Sequence, residues 1–97
     1  MKIDLDISTI NKIQSSLKNN TNIKKILLFG SRAKGTAKNG SDIDLALVGD
    51  RISFSDLCAI GAKLDELDLP YKIDLVIYNF ITNQELKEHI DRVGVEI

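Results

Sequence analysis

The sequence has 97 residues, of which 43% are apolar, and its 13 basic and 14 acidic side chains give a net charge of −1. A chain of this length suits a modest core, so we expect residues 1–97 to form a single domain. The balanced charge argues against a general polyanion-binding protein, and direct binding of nucleic acid is not expected. The apolar runs are too short to cross a membrane. The single cysteine, Cys58, excludes an intrachain disulfide and favours a cytoplasmic protein.

Apolar residues spaced three and four positions apart predict an amphipathic helix near the start of the chain. Either Asp6 or Ser8 can cap this helix, and the polar segment 19–22 ends it. The predicted apolar stripe consists of Ile10, Ile13 and Leu17.

Two short buried strands are predicted next. The first is KKILLFG, residues 24–30, and it stops at Gly30. A polar loop with the turn pair Asn39–Gly40 leads to the second strand, DIDLALV, residues 42–48. Because the connection between them is short, we expect the two strands to pair in antiparallel orientation.

A second long helix separates these strands from a third one. Ser53 and Asp56 match a capping box, and the helix is predicted to run to about Leu67. Pro70 prevents the helix from continuing into the third strand, YKIDLVIY, residues 71–78. The predicted inner face consists of Phe54, Leu57, Cys58, Gly61 and Leu64. A helical crossover favours parallel pairing of the second and third strands.

The last predicted element is a helix with a second capping box at Thr82 and Glu85. Its predicted inner face consists of Leu86, Ile90 and Val93. His89 falls on the charged side of this helix and is predicted to be a surface residue away from any site. The order of elements predicts an α/β (α+β) fold with a small mixed three-stranded sheet flanked by helices.

Two aspartates stand two positions apart at the front of the second strand, where aspartate contributes nothing to folding. Residues two apart share a face of a strand, so Asp42 and Asp44 point the same way. Asp74 occupies the matching place in the third strand, because both strands contain Ile-Asp-Leu. The predicted topology brings these three residues to one edge of the sheet, together with Gly30 and Ser31 at the end of the first strand.

Three carboxylates at one edge repel one another unless cations lie between them. Hard oxygen ligands without His or Cys favour Mg²⁺ or Mn²⁺ over zinc. Substrate phosphates and water commonly fill the remaining coordination positions, and two such ions can assist a phosphoryl displacement.

The segment around Gly30 and Ser31 offers donors for phosphate: backbone N–H groups at the end of a strand and the Ser31 hydroxyl. Between residues 23 and 41 there are five basic residues and no acidic one. The basic residues are Lys24, Lys25, Arg32, Lys34 and Lys38. The segment contains neither a Walker A motif nor GxGxxG.

The segments GSRAKG and SDIDLAL, followed by the aspartate in KIDLVIY, resemble the minimal nucleotidyltransferases of the DNA polymerase β-like superfamily. The pattern of that family is Gly-Ser, a short spacer, Asp-x-Asp and a later Asp on a neighbouring strand. The resemblance implies the nucleotidyltransferase fold. The implied catalytic residues and metal ligands are Asp42, Asp44 and Asp74, and the implied nucleotide-binding residues are Gly30, Ser31 and Arg32. Arg32 would either contact the triphosphate or brace the loop.

The resemblance implies transfer of AMP from ATP with Mg²⁺ or Mn²⁺. Minimal nucleotidyltransferases of this size often act as antitoxins beside small helical HEPN-domain toxins, and some attach AMP to them. We therefore expect a hetero-oligomer with such a partner, docked on the exposed side of the last helix and on the loop 32–38. The chain has little with which to hold a second substrate, which supports a protein acceptor. Two alternatives stay open: a binding module that neutralises its partner without catalysis, and a nucleotidyltransferase acting on a small molecule.

Overall fold

The computed structural model describes residues 3–38 and 40–97, so Asn39 of the predicted turn pair lies outside the described residues. The elements, in chain order, are α1 (Ile7–Leu17), β1 (Lys25–Phe29), α2 (Gly30–Lys34), β2 (Ile43–Val48), α3 (Phe54–Asp65), β3 (Ile73–Ile77), a 3₁₀ turn (Tyr78–Phe80), α4 (Gln84–Val93) and β4 (Val95–Glu96). In the part of the chain that the structure describes, no helix is both long enough and apolar enough to span a bilayer.

The strands form one mixed sheet in the order β3-β2-β1-β4. β1 is antiparallel to β2 and to β4, whereas β2 and β3 are parallel. The α/β architecture and both predicted pairings are confirmed, but the predicted count of three strands is wrong. The segment after α4 adds a fourth strand, and just beyond this strand the Ile97 N–H donates to the Ile26 carbonyl at 2.9 Å. A strand of two residues is too short to show the alternation that predicts strands.

The larger core lies where α1 and α3 cover one face of the sheet. Its fully buried side chains include Ile13, Leu28, Ile43, Leu45 and Leu47. α1 begins after Asp6, whose carboxylate accepts hydrogen bonds from the Thr9 N–H at 3.0 Å and the Thr9 hydroxyl at 2.8 Å. Of the two predicted caps, Asp6 is therefore the one the helix uses. These hydrogen bonds lower the pKa of Asp6.

The capping box of α3 is confirmed, since the Asp56 N–H donates to Ser53 Oγ at 3.0 Å and the Ser53 N–H donates to Asp56 Oδ2 at 2.9 Å. The predicted inner face is partly wrong. Phe54 is 73% exposed and Cys58 is also exposed, while the buried residues are Ile60 and Leu64. The helix is rotated so that a narrower stripe meets the sheet, and it ends at Asp65, two residues before the predicted end.

α4 covers the opposite face of the sheet, where Ile90 packs with Phe29 and Ala46. The partly buried residues Leu86 and Val93 pack against this smaller core, as predicted. The predicted capping box at Thr82 and Glu85 is wrong. The helix begins one residue later than that pattern requires, because the Asn83 side chain accepts from the Leu86 N–H at 3.1 Å and forms the cap.

Candidate active site

Three side chains form a row across the sheet where β1 ends and β2 and β3 begin. Phe29 is the cross-strand partner of Asp44, and Asp44 is the partner of Asp74. Directly paired residues project from the same face, so this row lies on the face that α4 covers. Asp42 precedes β2 and lies two positions from Asp44. The register thus brings Asp44 and Asp74 together, and Asp42 is close enough for its charge to act on Asp44, while the roles of the three residues in metal binding and catalysis stay predictions.

The carboxylate of Asp44 is half-buried at the centre of this group. Burial raises the pKa of Asp44 above its ordinary value of 3.8, and the negative charges of Asp74 and Asp42 raise it further, while His89 opposes the shift. Asp74 has a cation nearby, since Lys72 Nζ is 3.9 Å from Asp74 Oδ1, but both side chains are largely in water and the attraction is weak. The negative charge of the group is therefore incompletely compensated by the basic side chains around it.

The donor set fits a hard divalent cation, because all three side chains offer carboxylate oxygens, and a cation would relieve their mutual repulsion. Within residues 3–38 and 40–97, no three acidic, histidine or cysteine side chains are arranged to hold a metal ion between them. A Mg²⁺ or Mn²⁺ ion at Asp42, Asp44 and Asp74 would therefore depend on further oxygen ligands, which substrate phosphates and water commonly supply.

Gly30 lies at the same edge and packs directly against Asp44. Its φ of +74° is in the left-handed region, and a Cβ built at this position would overlap Asp44 Oδ2. Glycine satisfies both demands because it has no Cβ. Ser31 follows within the short helix α2. The N-cap residue of this helix, Phe29, makes no capping hydrogen bond with its side chain. The Gly-Ser pair is thus next to the carboxylates, and its contact with phosphate stays a prediction.

Arg32 is only 7% exposed and its guanidinium braces the structure. Nη1 donates to the Asp4 carbonyl at 2.7 Å, while Nε and Nη2 donate to the Ser41 carbonyl at 3.2 and 2.8 Å. The guanidinium also lies over the ring of Tyr71, 4.4 Å from its centroid. These contacts join the segments that precede α1, β2 and β3. They favour the bracing role of Arg32 over direct contact with the triphosphate.

The five basic residues before Ser41 do not form one patch. Lys24 makes an exposed ion pair with Asp50 at 2.6 Å, and Lys25 begins β1, about 13 Å from the end of that strand. With Arg32 buried, Lys34 and Lys38 are the exposed basic residues on the segment that follows Ser31. The positive charge available to a phosphate near the carboxylates is smaller than the sequence suggests.

The prediction that His89 lies away from the site is wrong. Its ring makes an edge-to-face contact with Phe29, with the centroids 6.1 Å apart and an interplanar angle of 79°. Sequence alone cannot show that α4 packs on the aspartate-bearing face of the sheet, and this packing brings His89 close to Asp44. A usable signal was the position of His89 beside Ile90, the most buried residue of α4.

Tyr78 is partly buried and packs against the small core under α4. Its hydroxyl donates to Asp91 Oδ1 at 2.6 Å, and this hydrogen bond raises the pKa of Tyr78. Tyr78 thus helps to fix α4 on the sheet.

Comparison with known families identifies a relationship over most of the chain. The profile described as "Polymerase beta, Nucleotidyltransferase" matches residues 11–97. The probable protein adenylyltransferase MntA of Haemophilus influenzae is 37% identical over 70 residues, which are 71% of this chain and 60% of that protein. This chain therefore spans about three fifths of the length of that relative.

Solved structures show the same likeness. A crystal structure of a toxin–antitoxin with AMP-PNP has a chain that is 30% identical, with a TM-score of 0.72, and the match covers 89% of this chain and 69% of that one. A complex of tri-AMPylated Shewanella oneidensis HEPN toxin with MNT antitoxin gives 26% identity and a TM-score of 0.68, covering 92% of this chain and 68% of the matched chain.

Proposed function

The chain belongs to the polymerase β nucleotidyltransferase family, and from this premise we propose that it transfers AMP from ATP to a hydroxyl group of a partner protein. The observation that carries the proposal is the cross-strand pairing of Asp44 with Asp74 at the edge where Gly30 and Ser31 begin α2. The H. influenzae relative is named as a protein adenylyltransferase, and a matched structure contains an AMPylated toxin, which supports a protein acceptor.

In this reaction the acceptor oxygen forms a bond to the α-phosphorus of ATP, and the bond from that phosphorus to the bridging oxygen of the β-phosphate breaks. Pyrophosphate leaves, and the hydroxyl proton passes to a carboxylate, for which Asp74 is the candidate. Asp42, Asp44 and Asp74 would hold Mg²⁺ or Mn²⁺. When bound, such an ion supplies stabilisation of the charge on the attacking and leaving oxygens. Gly30 and Ser31 would hold the phosphates, with Arg32 fixing the loop behind them.

The acceptor has to be held from outside the row of carboxylates. The Asp74 side chain is 47% exposed and stands on β3, the edge strand of the sheet, so a docked protein can reach it. We propose a HEPN-type toxin as that protein, with this chain as its antitoxin in a hetero-oligomer. The burial of Arg32 removes it from the predicted docking loop, leaving Lys34 and Lys38 on that surface. We place the reaction in the cytoplasm, where ATP and Mg²⁺ are supplied.

The test is to incubate the chain with the product of the neighbouring gene, ATP and Mg²⁺, and to measure the intact mass of that product. We expect a mass increase of one or more AMP groups, and none when Asp44→Asn replaces the wild type. Asp50→Asn is the matched control, because Asp50 is an exposed aspartate outside the row, paired with Lys24. It should leave the transfer unchanged.

Other outcomes would favour the alternatives. A tight complex without added mass would contradict transfer and favour a binding module that neutralises its partner. Absence of both a complex and a modification would favour a nucleotidyltransferase that acts on a small molecule. An Asp44→Asn protein that transfers AMP at the wild-type rate would exclude the assigned site.

A further inference from the structure

α4 forms one wall of the candidate site, and its amphipathic sequence does not predict this role. The helix packs against α2 and β1 and covers the face that carries Phe29, Asp44 and Asp74. Its His89 ring contacts the Phe29 ring edge to face. His89 therefore lies against Phe29, the member of the row that β1 contributes.

The imidazole of His89 is half-buried, and its ring nitrogens can form hydrogen bonds to a ligand. In the described chain, neither ring nitrogen takes part in a side-chain hydrogen bond, although neighbouring α4 residues are engaged: Asp91 accepts from Tyr78, and Glu88 accepts from Gln84. A neutral or protonated imidazole offers at least one N–H donor. The ring contacts Phe29, the residue that precedes Gly30, and α4 packs against α2, the helix that Gly30 begins.

We propose that His89 is a further substrate-contacting residue: its imidazole donates a hydrogen bond to the β- or γ-phosphate of bound ATP, the part that leaves as pyrophosphate. This inference rests on the proposed function. The α-phosphorus has to lie beside Asp44 and Asp74, because the bond to the acceptor forms there. Phe29 stands one strand further, at a spacing of about 4.8 Å. His89, in edge-to-face contact with Phe29, is therefore placed for the remaining phosphates.

The competing explanation is that His89 only packs against Phe29. Two substitutions separate these roles. His89→Phe keeps an aromatic ring for the edge-to-face contact and removes both donors. His89→Gln loses the ring but keeps an amide N–H that can replace one imidazole donor. A packing role predicts that the phenylalanine is tolerated better than the glutamine, whereas phosphate binding predicts the reverse.

The experiment is calorimetric titration of AMP-PNP and, separately, of AMP, each with Mg²⁺, into the wild type and the two variants. We expect His89→Phe to weaken AMP-PNP binding by about tenfold or more, the usual effect of losing a hydrogen bond to a charged group. Binding of AMP should stay unchanged, because AMP lacks the contacted phosphates. His89→Gln should bind AMP-PNP more tightly than His89→Phe. Glu88→Gln, one residue away and exposed, is the matched control and should bind as the wild type does.

Wild-type affinity of His89→Phe for AMP-PNP would overturn the role of His89 and leave the proposed function intact. An equal loss for AMP and AMP-PNP would also overturn it, since that result indicates a general disturbance of the site. If His89→Phe does not fold, His89→Ala replaces it, and wild-type affinity of His89→Ala for AMP-PNP would contradict the inference. Absence of AMP-PNP binding by the wild type would instead overturn the proposed function, and this inference with it.

Discussion

Asp44 Oδ2 lies so close to the α-carbon of Gly30 that no side chain fits between them. Gly30→Ala should therefore move the carboxylate and lower the free energy of unfolding by about 1–3 kcal/mol, from steric overlap and from the left-handed backbone together. Gly40→Ala is the control, because Gly40 also has a positive φ, +86°, but a Cβ there meets nothing within 4 Å. Urea denaturation should show a larger loss for Gly30→Ala, and equal losses would mean that the contact with Asp44 is unimportant.

Ser31→Ala tests the phosphate contact of the Gly-Ser pair. We expect weaker binding of AMP-PNP by about 1.5–3 kcal/mol, the range for a hydrogen bond to a charged group. The free energy of unfolding should change little, since no side-chain hydrogen bond within the described chain uses the Ser31 hydroxyl. Titration of AMP-PNP measures the first effect and urea denaturation the second. Equal affinities would show that Gly30 and Ser31 form only a structural turn.

Arg32→Lys distinguishes bracing from contact with the triphosphate. Lysine keeps the positive charge but cannot reproduce the fork that reaches the Asp4 and Ser41 carbonyls. The free energy of unfolding should fall by about 2–3 kcal/mol. Lys34→Ala, at an exposed basic residue two positions later, should leave it within about 0.5 kcal/mol. A stable Arg32→Lys protein with weakened nucleotide binding would instead favour direct contact with the triphosphate.

Asp44→Asn should make the protein without bound metal more stable at neutral pH. The pKa of Asp44 is raised in the folded state by burial and by Asp74 and Asp42, so the folded chain binds a proton more tightly than the unfolded chain. The contribution of Asp44 to stability therefore falls as pH rises from 3.8 through its higher folded pKa. Urea denaturation in EDTA should give equal stabilities below about pH 3 and a more stable variant at pH 7. A less stable variant at pH 7 would contradict this reasoning.

Much of this fold could be predicted because its long elements repeat apolar residues at the periods of helices and strands. The antiparallel and parallel pairings also follow from the lengths of their connections. β4 has two residues and no periodic pattern, so its place beside β1 depends on backbone pairing that only the folded chain shows. The predicted inner face of α3 is wrong at Phe54 and Cys58, because the stripe that they share in the sequence lies outside the contact between helix and sheet.

The three aspartates of the candidate site could be predicted because aspartate is disfavoured in strands and contributes nothing to the folding of a buried one. The same reasoning could not locate Arg32 or His89. The sequence shows that an arginine follows Gly-Ser, but it does not show whether the guanidinium binds a ligand or the Asp4 carbonyl. Likewise, the position of His89 depends on which face of the sheet α4 covers. The apolar stripe of α4 would be the same on either face, so the sequence does not distinguish them.

The row from His89 through Phe29 and Asp44 to Asp74 draws on four elements that meet only through long-range contacts. Its last member reaches Asp44 after the chain has travelled through α3 and returned to the sheet. Closing such distant pairs is slow relative to forming a helix, because chain entropy is lost before any contact compensates. During refolding from urea, helical circular dichroism should therefore return before nucleotide binding. Recovery of binding would report completion of the tertiary structure, and partial chains would lack it however helical they became.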